Sequence, residues 1–197
     1  MTEYPILFNG EMVRAILDGR KTQTRRILKD GQTHNPPYGS EGDRLWVRET
    51  WRSMEIPHSG VDVIVYAADH SYRTIEDTKE AAELWGKANE GQRKDCWRPS
   101  IFMPRWASRI TLDVLGTRIE RLQDITEEDA KAEGHLIDLA RSKDQQVHAD
   151  AAKDWFMDLW DSINAKPRKP GGPAYPWSSN PWVWVIEFRK VDTSGES

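Results

Sequence analysis

The sequence predicts one domain of the α+β class, a small mixed β-barrel with flanking helices and peripheral insertions. The chain has 197 residues, which is close to the size of a single domain. Runs in which apolar and polar residues alternate predict several strands, and stretches with helical spacing interrupt them. Closure into a barrel removes the exposed edges of a small sheet. We place this domain at residues 1–191 and expect a disordered tail at residues 192–197.

The first part of the chain predicts a strand, a helix and then further strands. Apolar residues between Met12 and Leu17 recur at helical spacing, and Gly19 is suited to end that helix. Strands are predicted at Tyr4–Phe8, from about Thr22, at Arg44–Trp51 and at Val61–Ala67. A helical stretch at Glu76–Asn89 belongs to a peripheral insertion at residues 57–98.

The second part predicts a long bent strand, two helices and a closing strand. Between Arg105 and Arg121 the apolar residues alternate, and Gly116 allows a bend or a bulge. Thr126 and Asp129 resemble a capping box, which opens a helix with Glu133 in its last turn. A second helix is marked by an apolar stripe, formed by Ala151, Ala152, Trp155, Phe156, Leu159, Trp160 and Ile163. The proline-rich insertion at residues 165–181 is expected to be a lid or a binding loop, and Trp182–Val191 to be the last strand.

Composition excludes several classes of protein. Lys and Arg number 28 against 32 Asp and Glu, which gives a net charge of −4 and excludes binding of nucleic acid by bulk positive charge. The longest apolar run, Val63–Ala68, is too short to span a membrane, and Glu3 and Arg14 do not fit a signal peptide. One cysteine and five scattered histidines predict no disulfide, no metal site and no cofactor. We therefore expect a soluble cytoplasmic protein without a membrane partner.

Charge is unevenly distributed along the chain, and tryptophan is unusually abundant. Residues Arg14–Lys29 contain six basic side chains against one acidic one, whereas Glu120–Asp138 contain seven acidic side chains against two basic ones. One interpretation is that these segments form ion pairs with each other. The other is a groove in which Arg binds a phosphate or a polar base. Of the ten tryptophans most are expected in the core, and Trp46, Trp51 and Trp177 are expected to be the exceptions that offer stacking surfaces.

The segment from Gly19 to Arg26 carries the clearest chemical pattern. Side chains two residues apart share a face of a strand, so Thr24 and Arg26 belong together. Lys21 meets Thr24 only if Lys21 lies in the turn before the strand, which Gly19 favours. A partly desolvated Lys has a lowered pKa and deprotonates a Thr hydroxyl, with a carboxylate to orient it. The alternative interpretation is an ordinary surface strand rich in Lys, Thr and Arg.

This segment resembles the signature of the ASCH domains, Gly-x-Lys-x-x-Glu-x-Arg, with Thr24 in the place of the Glu. The resemblance implies a PUA-like β-barrel associated with RNA. The Thr variant is similar to small ASCH amidohydrolases that remove the acetyl group from N(4)-acetylcytidine. Their catalytic Lys, Thr and Glu correspond here to Lys21, Thr24 and Glu133, the last of which follows Ile125-Thr126-Glu127.

The rest of the chain resembles ASCH-type proteins of phages and prophages, which implies the cytoplasm of a bacterium or of a phage-infected cell. The matching segments are Tyr4–Phe8, Gly42–Trp51, Met103–Arg109 and Asn180–Phe188. The chain is about twice as long as the minimal hydrolases, and its insertions at residues 57–98 and 165–181 are able to reshape the pocket.

The resemblance implies an amidohydrolase that recognises a modified nucleoside or RNA. Lys21 would deprotonate Thr24, whose hydroxyl attacks the amide, while Glu133 holds Lys21 or shuttles the proton; direct attack by Lys21 is a variant. Substrate-binding residues are predicted at Arg26, Trp46, Arg48, Glu49 and Trp51. The alternatives are a non-catalytic RNA-binding module and a ribonuclease, the latter disfavoured by Thr24. The sequence predicts no oligomeric state.

Overall fold

The structure is a computed structural model of the chain, and it describes residues 1–29, 36–75, 83–86, 96–136, 151–167 and 169–191. Two predicted segments fall outside these residues. They are most of the helical stretch at Glu76–Asn89, of which only residues 83–86 are described and helical, and the tail at residues 192–197.

The helices and strands follow the predicted order with two additions. Eight strands are described: β1 (Glu3–Leu7), β2 (Gln23–Ile27), β3 (Arg44–Arg48), β4 (Trp51–Glu55), β5 (Asp62–Tyr66), β6 (Tyr72–Thr74), β7 (Thr111–Arg121) and β8 (Trp182–Lys190). The named α-helices are α1 (Gly10–Leu17), α2 (Glu127–Ala132) and α3 (Ala151–Asn164). Short 3₁₀ helices cover Ser100–Phe102, Arg105–Ala107, Leu122–Asp124 and Trp177–Ser179. The sequence did not predict β4 and β6 as separate strands.

The strands form two sheets, and this mixture with helices confirms the predicted α+β class. One sheet has five strands in the order β1-β3-β7-β8-β2, and the other has three in the order β4-β5-β6. Since β1 and β2 stand at the two ends of the five-stranded order, closure into a barrel stays a prediction. None of the helices in the described part of the chain has both the length and the apolarity needed to cross a bilayer.

By its contacts the chain divides into two compact units. Unit 1 consists of Met1–Tyr4, Ala15–Leu45 and Thr111–Ser197, and unit 2 consists of Pro5–Arg14 and Trp46–Ile110. The boundary passes through β1, α1 and β3. The single domain at residues 1–191 stays a prediction.

Unit 1 is built on antiparallel pairing of β8 with both β7 and β2. The β7–β8 register shifts between Val114 and Gly116, which confirms the bulge predicted at Gly116. Helix α3 buries residues four positions apart, among them Phe156 and Trp160. Ile163 was predicted on the same stripe, but it lies one position before the buried Asn164 and is 40% exposed. The core cluster of unit 1 contains Leu122, Ile125, Ala130, Ala152, Phe156, Trp160, Val183 and Val185, with Trp177 packed against it.

Unit 2 contains the three-stranded sheet, whose inner face carries a second core. Trp51 pairs with Tyr66 and Ser53 with Ile64 in the β4–β5 register. Residues directly opposite each other share a face, so these side chains point to the same side. That side packs in a cluster of Trp51, Ile64, Tyr66, Met103 and Ala107. The expectation that Trp51 is an exception to the core is wrong: the residue is 1% exposed, because it starts a buried strand.

Helix α2 begins with the predicted cap. The Thr126 hydroxyl oxygen accepts a hydrogen bond of 3.1 Å from the backbone N–H of Asp129. Such a cap satisfies one of the donors that a helix N-terminus leaves unpaired. Six residues later the helix ends, with Glu133 at its C-cap. The cap therefore fixes the position of a helix that presents Glu133.

We expect Thr126→Ala to lower the free energy of unfolding by about 1 kcal/mol, because the Asp129 N–H loses its acceptor. Thr126→Ser keeps the hydroxyl and should be close to the wild-type protein. Urea unfolding of the three proteins measures the difference. Equal midpoints for the Ala and Ser variants would show that the cap contributes nothing.

Candidate functional site

A tight turn after α1 places Lys21 opposite the end of α2. Gly19 has a φ of +75°, a conformation that favours glycine. The N–H of Lys21 donates to the carbonyl of Ala15, and the N–H of Thr22 donates to the carbonyl of Ala132 at 2.9 Å. Lys21 and Glu133 themselves form an isolated antiparallel bridge. Lys21 thus lies in the turn before β2, as the spacing predicts.

The Lys21 ammonium group is enclosed by three oxygen acceptors. Its Nζ donates to Glu133 Oε2 at 2.7 Å, to the Glu133 carbonyl at 2.9 Å and to the Gln23 carbonyl at 2.8 Å. The Lys21 side chain is 0% exposed and that of Glu133 is 2% exposed. Burial lowers the pKa of Lys21 below its usual 10.5, although the neighbouring Glu133 carboxylate acts in the opposite direction. Two of the three predicted catalytic side chains are therefore in direct contact.

Gly134 allows the close approach of these two segments. It has a φ of +108°, and a Cβ at this position would lie 2.9 Å from the Cβ of Ala15 and 3.2 Å from the Cβ of Lys21. Any other residue would collide with the turn that carries Lys21. From the sequence, Gly134 is expected only to mark the end of the helix that Thr126 opens, and its role in the packing of α2 on the turn appears only in the structure.

Arg25 is the second buried cation of the site. Its side chain is 0% exposed and lies between three carboxylates. The guanidinium nitrogens contact Glu120 Oε1 at 2.5 Å, Asp129 Oδ2 at 3.0 Å and Glu133 Oε1 at 3.3 Å. Glu133 is therefore held by Lys21 through one carboxylate oxygen and by Arg25 through the other.

Arg118 extends this network along β7. It contacts Glu120 Oε2 at 3.0 Å and Asp129 Oδ2 at 3.4 Å, and it also pairs with Glu187. Burial opposes ionisation of Asp129, but the charge of Arg25 and further contacts outweigh it and lower the pKa of that carboxyl. For these residues, the structure agrees with the ion-pair interpretation of the basic and acidic segments.

Thr24, the third predicted catalytic residue, is close in sequence but is not joined to the pair by a hydrogen bond. It pairs with Ile186 in the β2–β8 register and is 1% exposed. Successive side chains along β2 point to opposite faces. The Thr24 side chain therefore shares a face with Arg26 and lies on the face opposite Arg25. Within the part of the chain that the structure describes, the Thr24 hydroxyl has no hydrogen-bond partner.

The five predicted substrate-binding residues are divided between the units. Arg26 lies in unit 1, partly buried, and its guanidinium donates to the carbonyl of Arg25 at 3.1 Å. The other four, Trp46, Arg48, Glu49 and Trp51, lie in unit 2. Arg48 stacks on Trp46 with 5.3 Å between its Cζ and the ring centroid, and it donates to the Met103 carbonyl at 3.0 Å.

Glu49 belongs to a charged cluster within unit 2. Both of its carboxylate oxygens accept hydrogen bonds of 2.9 Å from Arg109, which also contacts Asp69 at 2.9 Å and lies 4.0 Å from the ring centroid of Tyr66. Burial raises the pKa of Glu49, and the pairing with Arg109 opposes this. Trp51 packs in the core of the unit, which argues against its predicted contact with substrate. No group of three or more His, Cys, Asp or Glu that could hold a metal ion occurs among the described residues.

Comparisons with known proteins give two similar structures. A scan against protein-family models finds no match, and neither does a search of curated proteins. One similar structure is an ASCH domain from Lactobacillus crispatus JV V101, with 10% identity over 96% of this chain and 78% of that chain and a TM-score of 0.39. The other is a DUF984 protein from Enterococcus faecalis V583, with 11% identity over 100% and 85% of the chains and a TM-score of 0.46. Both TM-scores are below 0.5, so the relation to the ASCH family stays a prediction.

We expect Arg25→Met to lower the free energy of unfolding by about 3 kcal/mol, because it leaves Glu120, Asp129 and Glu133 close together without their shared cation. The matched control is Arg44→Gln. Arg44 pairs with Asp113 where both side chains are about one third exposed, and its loss should cost less than about 1 kcal/mol. Similar losses for the two variants in denaturant unfolding would contradict the structural role of Arg25.

Proposed function

We propose that the protein recognises a modified nucleoside, alone or in RNA, and hydrolyses an N-acyl group from it, with N(4)-acetylcytidine as the leading substrate. The observation that carries the proposal is the buried contact of 2.7 Å between Lys21 Nζ and Glu133 Oε2. Three residues after Lys21 comes the buried Thr24, whose hydroxyl is unpartnered in the described structure. Buried titratable pairs are costly, and perturbed pKa values concentrate at functional sites. The resemblance of the Gly19–Arg26 segment to the ASCH signature supports the same residues.

The proposed reaction begins with the neutral amine of Lys21. It takes the proton of the Thr24 hydroxyl, and the resulting alkoxide attacks the amide carbonyl of the substrate. The C–N bond then breaks, Lys21 returns the proton to the exocyclic nitrogen, and cytidine leaves behind an ester on Thr24. Water attacks this ester while Lys21 takes its proton, which releases acetate and restores the hydroxyl. Glu133 orients Lys21, and Arg26 polarises or binds the substrate.

This reaction requires a rearrangement of the Lys21 side chain. All three hydrogens of a protonated Nζ are engaged by Glu133 and Gln23, and the group is closed to solvent. To serve as a base, Lys21 must lose a proton and turn from the Gln23 carbonyl towards Thr24. The lowered pKa reduces the cost of the first change, because the neutral amine is the form that burial favours.

The second candidate is a non-catalytic RNA-binding module. The full engagement of the Lys21 ammonium by three acceptors favours it, because this is the arrangement of a structural ion pair. RNA contacts would then come from groups such as Arg26 and Trp46. Binding dominated by phosphate contacts weakens steeply with salt, whereas turnover of a neutral nucleoside does not.

Cytidine release from N(4)-acetylcytidine, followed by chromatography, tests the proposal. We expect release by the wild-type protein and by Lys131→Met, which removes an exposed lysine of the same unit. Lys21→Met and Thr24→Val should release none. Release by Thr24→Val at the wild-type rate would exclude Thr24 as nucleophile, and salt-sensitive RNA binding without any release would favour the second candidate.

Thr24→Val also separates activity from folding. The hydroxyl is buried without a partner in the described structure, so its removal should leave stability equal or raise it by about 1 kcal/mol. We therefore expect a folded and inactive protein. A loss of stability in thermal unfolding would show that the hydroxyl is bonded in solution, and would contradict the geometry on which the proposal rests.

The pH dependence follows from the role of Lys21 as a base. Only the neutral amine is active, so kcat/KM should rise with pH and level off above a midpoint below 10.5, since burial lowers the pKa of Lys21. The cytidine released in the presence of Thr24→Val measures the background from spontaneous alkaline hydrolysis. A rate that falls with rising pH between 7 and 10 would contradict this role.

A further inference from the structure

The three-stranded sheet of unit 2 has a second face that the core does not use. In the register of β4, β5 and β6, Arg52 lies opposite Val65, and Val65 lies opposite Tyr72. These residues therefore share the face opposite Trp51 and Ile64. A cavity of about 340 Å³ opens on this face, which we call the β4–β6 cavity. It is lined by Arg52, Met54, Ile56, Pro57, Val63, Val65, His70 and Tyr72.

The β4–β6 cavity has an apolar floor and an aromatic, basic rim. Val63 and Val65 are buried at its base, whereas Tyr72 is 62% exposed at the edge. Beside the cavity stands Trp97, which is 41% exposed. The Cζ atom of Arg52 lies 4.8 Å from the centroid of the Trp97 ring, and the centroid of the His70 ring lies 6.0 Å from the same point. Flat rings next to a guanidinium are the groups on which nucleobases stack.

The rim also offers an unsatisfied hydrogen-bond donor. Arg52 Nε is buried and has no hydrogen-bond partner within the described residues. Orphaned donors of this kind cost free energy, and a charged donor pairs best with a carboxylate or a phosphate. Among the described residues that line the cavity, none is a carboxylate. An anion bound in the cavity would supply such an acceptor.

We propose that the β4–β6 cavity is a second binding site, which takes a nucleotide unit with its base against Tyr72 and the valine floor and its phosphate on Arg52. The volume lies within the usual range for small-ligand sites. The combination of a stacking surface, an apolar floor and the Arg52 guanidinium is complementary to a planar base that carries an anion. The site uses residues of unit 2 alone and does not depend on the hydrolytic role of Lys21 and Thr24.

The unit is either a free nucleotide or one nucleotide of a single strand, and two probes distinguish these sources. The first is a fluorescein-labelled single-stranded RNA of about ten nucleotides, whose binding is followed by anisotropy. The second is cytidine monophosphate, added as an unlabelled competitor. If cytidine monophosphate displaces the labelled RNA at concentrations similar to that of the RNA, the ligand of the site is a free nucleotide. Binding of RNA that resists such competition assigns a single strand, because further contacts along the strand add affinity.

Two surface variants test the site itself. Tyr72→Ala removes the exposed ring, and Arg52→Gln removes the cation; each should weaken binding of the effective probe about tenfold or more. Arg189→Gln makes the same charge change at a side chain of unit 1 that is 71% exposed, and it should bind as the wild-type protein does. The site is disproved if neither probe binds at up to about 1 mM, or if Tyr72→Ala and Arg52→Gln bind as tightly as Arg189→Gln.

The same variants distinguish this site from the proposed function. Tyr72 and Arg52 lie outside the Lys21 site, so both variants should release cytidine from free N(4)-acetylcytidine at the wild-type rate. Suppose that neither the wild-type protein nor the variants hydrolyse the nucleoside, but Tyr72→Ala and Arg52→Gln still bind the probe more weakly than the wild-type protein. The proposed function then fails and the second site stands. If hydrolysis is normal and binding is unchanged in the variants, only the second site fails.

Discussion

The buried contact between Lys21 and Glu133 is the interaction on which the local structure of unit 1 depends. Two charges removed from water are tolerated only when their hydrogen-bonding capacity is satisfied, and here the ammonium group has three oxygen acceptors within 2.9 Å. This requirement dictates the backbone on both sides. The turn at Gly19 brings Lys21 to the start of β2, and Gly134 leaves room for that turn against the end of α2. The cap at Thr126 fixes the start of the same helix.

The surrounding charges complete the same pattern. A glutamate held between two cations, Lys21 and Arg25, is strongly oriented, because each carboxylate oxygen has its own partner. Replacement of buried ion pairs by apolar side chains is often neutral or stabilising, so stability alone does not explain such a network. In the proposed reaction, the oriented carboxylate of Glu133 beside a lysine with a lowered pKa serves acid and base chemistry. In the charged cluster of unit 2, both carboxylate oxygens of Glu49 contact one guanidinium, that of Arg109, and no unpartnered hydroxyl is described beside it.

Local signals in the sequence predicted much of this site, and long-range pairing explains what they missed. The position of Lys21 in a turn, the cap at Thr126 and the bulge at Gly116 each follow from a few neighbouring residues, and each is confirmed. The role of Arg25 depends on carboxylates about a hundred residues further along the chain, and that of Gly134 depends on the turn at Lys21, more than a hundred residues before it, so spacing within one segment gives no signal for them. The division of the predicted strand at Arg44–Trp51 into β3 and β4 has a similar cause. Buried and more exposed side chains alternate without interruption from Arg44 to Trp51, and only the pairing with β5 shows where β4 begins.

The titration of the Lys21 side chain tests the central claim most directly, since both the buried pair and the proposed base depend on it. The ¹⁵N resonance of Lys21 Nζ, assigned by its absence from Lys21→Met, reports the protonation of this one amine as pH is raised. We expect a midpoint below 10.5, the ordinary value of a lysine, because burial lowers the pKa of Lys21. A Lys21 midpoint at or above 10.5 would contradict it, because the carboxylate of Glu133 would then stabilise the ammonium more than burial destabilises it, and the lysine would be a structural ion-pair partner only.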